Sequence, residues 1–197
     1  MLSKAMKTDI ILSGVGGQGI LSIAAVIGQA AVEMGLSMKQ AEVHGMSQRG
    51  GDVQSHLRLS DTTVASDLIP KGQADLIISL EPMEALRYTP YLTPESGVIV
   101  SNVKPVKNIA NYPDEEAVLQ EIKGFKNVIL DVSDIAIKLG SGRMANIVML
   151  GAASPFIGGI PFEKFKDGIR QIFSRKGDDV VAMNIKALEA GRQAAQQ

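Results

Sequence analysis

The chain begins with short apolar runs set between glycines. Residues 9–13 (Asp-Ile-Ile-Leu-Ser) are apolar and end at a glycine. They predict a strand buried on both faces, as in parallel sheets. Residues 20–34 have the length and composition of a helix. Its polar residues Ser22, Gln29 and Glu33 share one narrow face, so the rest of its surface is expected to be buried. Gly28 allows close approach to the sheet, and Gly35 suits the left-handed position that ends a helix. Residues 37–43 predict a second strand. After a loop at 44–51, residues 52–60 alternate strictly. Val53, Ser55, Leu57 and Leu59 fall on one face; Asp52, Gln54, His56 and Arg58 fall on the other. This pattern predicts a half-exposed strand, antiparallel and near a sheet edge.

Residues 75–80 (Asp-Leu-Ile-Ile-Ser-Leu) predict another buried strand, with Pro82 opening a helix. A strand at 98–101 follows a turn at 94–97. Residues 114–123 predict a helix opened by acids and closed by Gly124, and 127–131 the last buried strand. From residue 133 the pattern is helical, with segments at 133–139, 144–153, 161–174 and 178–195. The third carries Phe162, Phe165, Ile169, Ile172 and Phe173 on one face; the fourth carries Val181, Ile185 and Leu188. There is no internal repeat, low-complexity tract or linker. Strands alternating with helices predict an α/β protein. The expected fold is a three-layer α/β/α architecture with a mixed, mainly parallel Rossmann-like sheet and a helical C-terminal third, as one domain over residues 1–197.

Composition removes several classes of function. The 197 residues include no Cys. This excludes a disulfide framework, a cysteine-ligated cluster or zinc site, and a thiol nucleophile. The 20 basic and 21 acidic residues balance to −1, so no nucleic acid is expected to be held by charge. Aromatics at 4% give no base-stacking platform. Residues 1–27 resemble a signal peptide until the glycines at 14, 16, 17 and 19 break the apolar stretch. No run approaches the roughly 20 apolar residues of a membrane span. A soluble, cytoplasmic protein with no membrane partner is expected.

The 20 glycines exceed the average share, and their placement is the first chemical clue. Gly14-x-Gly16-x-x-Gly19 lies between a predicted strand and a predicted helix. That is the context of a phosphate-binding turn, in which backbone N–H groups at a helix start favour an anion. Gly14, Gly16, Gly17, Gln18 and Gly19 are therefore cofactor-binding candidates. The alternative is that the glycines only tighten a strand-to-helix turn. A nicotinamide site would also want an acid about 20 residues on. Glu42 stands near that place and is a further candidate.

In an open parallel sheet, ligands sit beyond the carboxyl ends of the strands. There the strand assignments place the glycine loop, Glu42, His44, Glu81, Ser101, Asn102 and Asp131. Asp131 and Glu81 read best as helix caps or solvated strand ends. His44 titrates near neutral pH and is a catalytic candidate, with a structural hydrogen-bonding role as the alternative. Arg49, followed by Gly50 and Gly51, is a cation on a flexible backbone. It is read either as a clamp for a carboxylate or phosphate, or as a turn residue. His44 and His56 have no metal-ligand spacing to each other or to acids, so no metal is expected.

Two motifs carry a resemblance. Gly14-Val15-Gly16-Gly17-Gln18-Gly19-Ile20-Leu21 and Ala41-Glu42-Val43-His44-Gly45-Met46-Ser47-Gln48-Arg49-Gly50-Gly51 resemble the gamma-type domain of 2-oxoacid:ferredoxin oxidoreductases. The His-Gly-Met-x-Gln-Arg-Gly-Gly form is similar to the branch acting on aryl pyruvates such as indolepyruvate. Weaker matches are residues 80–87 and Asn146-Ile147-Val148-Met149-Leu150-Gly151. The resemblance implies an accessory subunit of an enzyme that converts aryl pyruvates to acyl-CoA and carbon dioxide, with ferredoxin accepting electrons. It also implies a large alpha subunit that carries thiamine diphosphate, magnesium and the iron–sulfur clusters. The present chain has neither cysteines nor a Gly-Asp-Gly motif with a downstream Asn for the thiamine-bound magnesium. Coenzyme A is the cofactor whose phosphates would suit the glycine loop. The competing readings are a stand-alone nucleotide-binding or regulatory module, and a scaffold whose glycines serve packing alone.

Overall fold

Every apolar run predicted as a strand is one, but the last, at residues 126–130, is a half-buried edge strand and not the buried strand expected. A computed structural model describes residues 6–44, 50–107 and 109–196. The elements in order are β1 (Lys7–Val15), α1 (Ile20–Glu33), β2 (Ser37–His44), β3 (Asp52–Ser60), β4 (Leu76–Ser79) and α2 (Pro82–Arg87). Then come β5 (Val98–Asn102), α3 (Glu115–Lys123), β6 (Lys126–Leu130), α4 (Val132–Lys138), α5 (Ala145–Ala153), α6 (Phe162–Phe173) and α7 (Asp178–Ala194). The six strands form one sheet in the order β2-β3-β1-β4-β5-β6. β1, β4, β5 and β6 run parallel, and β3 is antiparallel to both β1 and β2.

Successive strand residues point to opposite faces, so the parallel strands β1, β4, β5 and β6 feed two cores. Ile10, Leu12, Leu76 and Ile78 join α1, α4 and α5 in the larger core. Ile11, Ile77 and Ile99 join α2 and α3 in the smaller one. This is the expected three-layer architecture. The acids at the strand ends cap helices: Glu81 accepts from the Glu84 amide, Asp114 from Ala117 and Asp131 from Asp134. Each satisfies one donor that a helix start leaves open. Among the described residues no helix is long and apolar enough to cross a membrane.

The helical C-terminal third adds depth on one side. α6 packs on α1, and α7 on α5, outside the helices that touch the sheet. Glycine makes the α5–α7 crossing possible. A Cβ on Gly151 would stand 2.0 Å from the Leu188 carbonyl oxygen, and one on Gly191 would stand 1.9 Å from that of Val148. Gly168 gives α6 a similar approach to the Val26 carbonyl. Contacts this close admit no side chain without moving a backbone.

β3 is antiparallel and near a sheet edge as predicted, next to the edge strand β2. It is not half-exposed: of its residues Asp52 alone is exposed, and its polar face is covered. The segment 61–75 folds over it. Arg58 grips the fully buried Asp9 with two hydrogen bonds, of 2.9 and 3.1 Å. Its third nitrogen donates to the Ser66 and Leu68 carbonyls. His56 is only 4% exposed; its Nδ1 accepts from the Ile69 amide at 3.0 Å, and its ring meets the Tyr91 ring edge to face. Strict alternation reflects two differently filled faces, and here the second is filled by polar pairs and a covering loop.

Burial, with nearby Arg58 adding, holds the His56 imidazole below its usual value. An unfolded histidine titrates near pH 6.5. Below that pH the unfolded chain takes up a proton that folded His56 resists, so stability is lost as pH falls. The His56→Gln variant lacks this loss. In urea melts, its stability deficit against wild type should shrink between about pH 7 and about pH 5, by up to about 1 kcal/mol per pH unit. A deficit that stays constant across that range would contradict the assignment.

Candidate functional site

β1 passes into α1 on one face of the sheet, and β4 passes into α2 on the other. The ends of these neighbouring parallel strands therefore diverge, and a crevice opens where such a sheet binds ligands. Residues 15–20 form its rim. Gly17 and Gly19 have φ of +101° and +83°, a backbone region that favours glycine. Gly19 sits at the N-cap of α1, where no side chain caps the helix and no acid occupies the first turn. Among the described residues, the amides of Gly17, Gly19, Ile20 and Leu21 have no backbone partner. These are oriented donors with the positive end of a 14-residue helix behind them.

Two of the glycines make room for side chains that brace the turn. A Cβ on Gly14 would stand 2.7 Å from Gln18 Oε1, so Gly14 makes room for the Gln18 side chain. Gln18 Oε1 accepts from the Val15 amide at 2.7 Å, and its Nε2 donates to the Leu80 carbonyl at 2.9 Å. That side chain bridges the crevice from the end of β1 to the end of β4. A Cβ on Gly19 would stand 2.7 Å from Asn146 Nδ2, which donates to the Gly19 carbonyl at 3.1 Å. The Gly16 amide is taken by the Gly51 carbonyl at 2.8 Å, and the Gly50 amide meets the Gly16 carbonyl at 3.5 Å. Gly50 and Gly51 thus lie against the glycine loop.

The other candidates are dispersed. Glu42 is exposed on the edge strand β2 and accepts from Gln40 Nε2 at 2.7 Å. β3 stands between it and β1, which at about 4.8 Å per strand puts it two spacings from the loop. Arg49 and the His44 side chain lie outside the described residues. Glu81 is fully buried and accepts from the Tyr112 hydroxyl, whose ionisation burial and this carboxylate push well above the ordinary tyrosine value. Among the described residues, no group of three or more His, Asp or Glu is placed to hold a metal ion.

Two pockets flank the loop. One, of about 310 Å³, lies between Gly17 and Gly19 on one side and Asn102, Ser133, Arg143 and Asn146 on the other. The second, of about 380 Å³, is lined by Val15, Ile20, Leu21 and Val53 beside the same glycines. The site therefore holds free amides, a guanidinium, a hydroxyl and side-chain amides, which is a donor set for an anionic or polar group. Arg143 and Asn146 were not singled out as site residues from sequence. Their signal was the motif beginning at Asn146, quoted above for resemblance alone.

The Gln18 bridge can be tested directly. The Gln18→Leu substitution leaves the buried Val15 amide without an acceptor and frees β4 from the loop. It should cost about 1–3 kcal/mol in urea denaturation. A loss below about 0.5 kcal/mol would mean that the bridge contributes nothing.

The comparisons agree with this architecture. The family model described as pyruvate ferredoxin/flavodoxin oxidoreductase matches residues 9–194. The chain is 37% identical over 195 residues to the indolepyruvate oxidoreductase subunit IorB of Archaeoglobus fulgidus, covering 94% of each chain. It is 36% identical to the subunit of that name from Pyrococcus horikoshii, covering 96% of each. Its backbone matches a chain of the 2-oxoglutarate:ferredoxin oxidoreductase of Magnetococcus marinus, solved with 2-oxoglutarate, coenzyme A and succinyl-CoA bound. The TM-score is 0.79 at 23% identity, and the match takes in 98% of this chain but 32% of that longer one. Fold, strand-end site and near full-length relatives lead to one conclusion: the chain belongs to the pyruvate ferredoxin/flavodoxin oxidoreductase family.

Proposed function

We propose that this chain is the accessory subunit of an enzyme that oxidatively decarboxylates aryl pyruvates such as indolepyruvate. The observation that carries the reading is identity of 34–37% to four IorB subunits over almost the whole of each chain. The overall reaction joins the 2-oxoacid and coenzyme A into an acyl-CoA and releases carbon dioxide. Two electrons leave to two ferredoxins, with one proton released. A chain with no cysteine has no thiolates to ligate clusters along that electron path. The path, and with it the thiamine diphosphate and magnesium, is assigned to a large partner subunit.

Coenzyme A supplies the thiol that receives the acyl group. For its phosphates, this chain offers the open amides of Gly17, Gly19, Ile20 and Leu21, with Arg143 across the crevice. These residues fit an anionic group, because oriented N–H donors at a helix start and a guanidinium reinforce one another. His44, at the end of β2, and Arg49 remain the candidates to act on substrate.

Co-expression with the large cysteine-rich subunit tests the assignment. Viologen reduction that requires both chains, an aryl pyruvate and coenzyme A is expected. Equal activity of the large subunit alone would overturn it. The coenzyme role has its own test. Leu21 is 40% exposed in the first turn of α1, where an acid suits the helix dipole and leaves folding intact. In the assembled enzyme, Leu21→Glu should raise the KM for coenzyme A by about tenfold, through repulsion of a nearby phosphate. An unchanged KM would remove the phosphate from this loop.

A further inference from the structure

A third pocket, of about 350 Å³, lies behind the crevice, between the start of α1, the turn Gly142–Met144 and the corner joining α6 to α7. It shares Arg143 and Asn146 with the crevice but extends away from the glycines. Two cations line it, Arg143 and Lys176, and among the described residues neither is in an ion pair. The neighbouring cations of α6 behave differently: Lys164, Lys166 and Arg170 are each matched to a carboxylate. The Lys176 ammonium stands 5.3 Å from the centre of the Phe173 ring. Charge here has been left without a counter-charge beside an apolar floor of Met144, Phe173 and Met183. Two of those three are methionines, which adapt to flat or irregular apolar groups.

Asn184 adds a direction. It lines the pocket and is 7% exposed. Its Nδ2 donates to the Val180 carbonyl of its own helix at 2.8 Å, which fixes the orientation of the amide. Oδ1 is then an acceptor with no protein donor among the described residues. It is not one of the fully buried unpaired oxygens, so it is open to the pocket and can accept from a molecule that enters there. At roughly 30 Å³ per small group, the volume holds about a dozen non-hydrogen atoms.

The geometry points to a binding site for an aryl carboxylate bearing a hydroxyl or N–H donor on its ring. The carboxylate sits between Arg143 and Lys176, the ring lies on Met144, Phe173 and Met183, and the donor meets Asn184 Oδ1. Inorganic phosphate would satisfy the cations but leave the floor and Asn184 unused. The site belongs to this chain alone, so its test is independent of the partner subunit and of the assigned reaction.

Calorimetric titration of the full chain provides that test, with 4-hydroxyphenylacetate, phenylacetate and inorganic phosphate as probes. The expected result is saturable binding of 4-hydroxyphenylacetate at one site, at least about threefold tighter than phenylacetate. Arg143→Gln and Lys176→Gln should each weaken it by about tenfold. Both side chains are exposed, so folding, checked by circular dichroism, should be unaffected. Asn184→Leu should erase the preference for the hydroxylated probe while phenylacetate still binds. Absence of saturable binding, or affinity unchanged in both cation variants, would overturn the site. Phosphate binding as tightly and displacing the aryl acid would also overturn it, leaving a simple anion site.

Discussion

A single side-chain amide connects the two halves of the working end of the sheet. Gln18 takes the Val15 N–H with its oxygen and gives a hydrogen to the Leu80 carbonyl with its nitrogen. β1 and β4 send their chains to opposite faces just past the last rungs of their ladder, where the Leu80 amide meets the Ser13 carbonyl at 3.1 Å and the Ser13 and Ser79 hydroxyls pair. Without the bridge, the anchors of the glycine turn among the described residues would be Gly16 with the Gly50–Gly51 strand start, and Asn146 at the Gly19 carbonyl, with none to β4. With it, the turn is fixed to both neighbours of β1. The open amides of Gly17 and Gly19 are then held in place before any ligand arrives. Preorganised donors cost little to use, which is the physical value of building a rigid turn from flexible residues.

The helical third serves the same end from a distance. Asn146 reaches the Gly19 carbonyl from the first turn of α5, across 127 residues of sequence. α5 can hold that position because its other side is pressed against α7 through Gly151 and Gly191. The same helix start carries Arg143 into both the crevice and the pocket behind it. Glycines that look scattered along the sequence therefore act in series: some shape the turn, some admit the side chains that brace it, and some let the bracing helices come close.

Much of this was legible in the sequence. Buried strands, helix lengths and the caps at Asp114 and Asp131 follow from local patterns, because each depends on residues within a turn or two. Antiparallel pairing of β3 followed from its alternation. The burial of its polar face did not, since alternation reports that two faces differ and not what fills each. The covering of His56 and Arg58 depends on segment 61–75, whose fit over Asp9 leaves no periodic trace. Nor could spacing reveal that Gly14 exists for Gln18, or that Glu42 would be separated from the loop by β3. Those are long-range contacts, and the crevice donors Arg143 and Asn146 belong to the same class.

We propose that the glycine-rich end of the sheet is the face this chain presents to the large subunit and coenzyme A. Hydrogen exchange at individual amides, measured on the chain alone and then assembled with the large subunit and coenzyme A, tests it most directly. In the free chain, Val15 and Gly16 should exchange slowly, and Gly17, Gly19, Ile20 and Leu21 quickly, since among the described residues only the first two of these amides are bonded. Assembly should slow the second group while leaving the far edge at β6 unchanged. Exchange at Gly17 through Leu21 that is the same in both states would contradict the account.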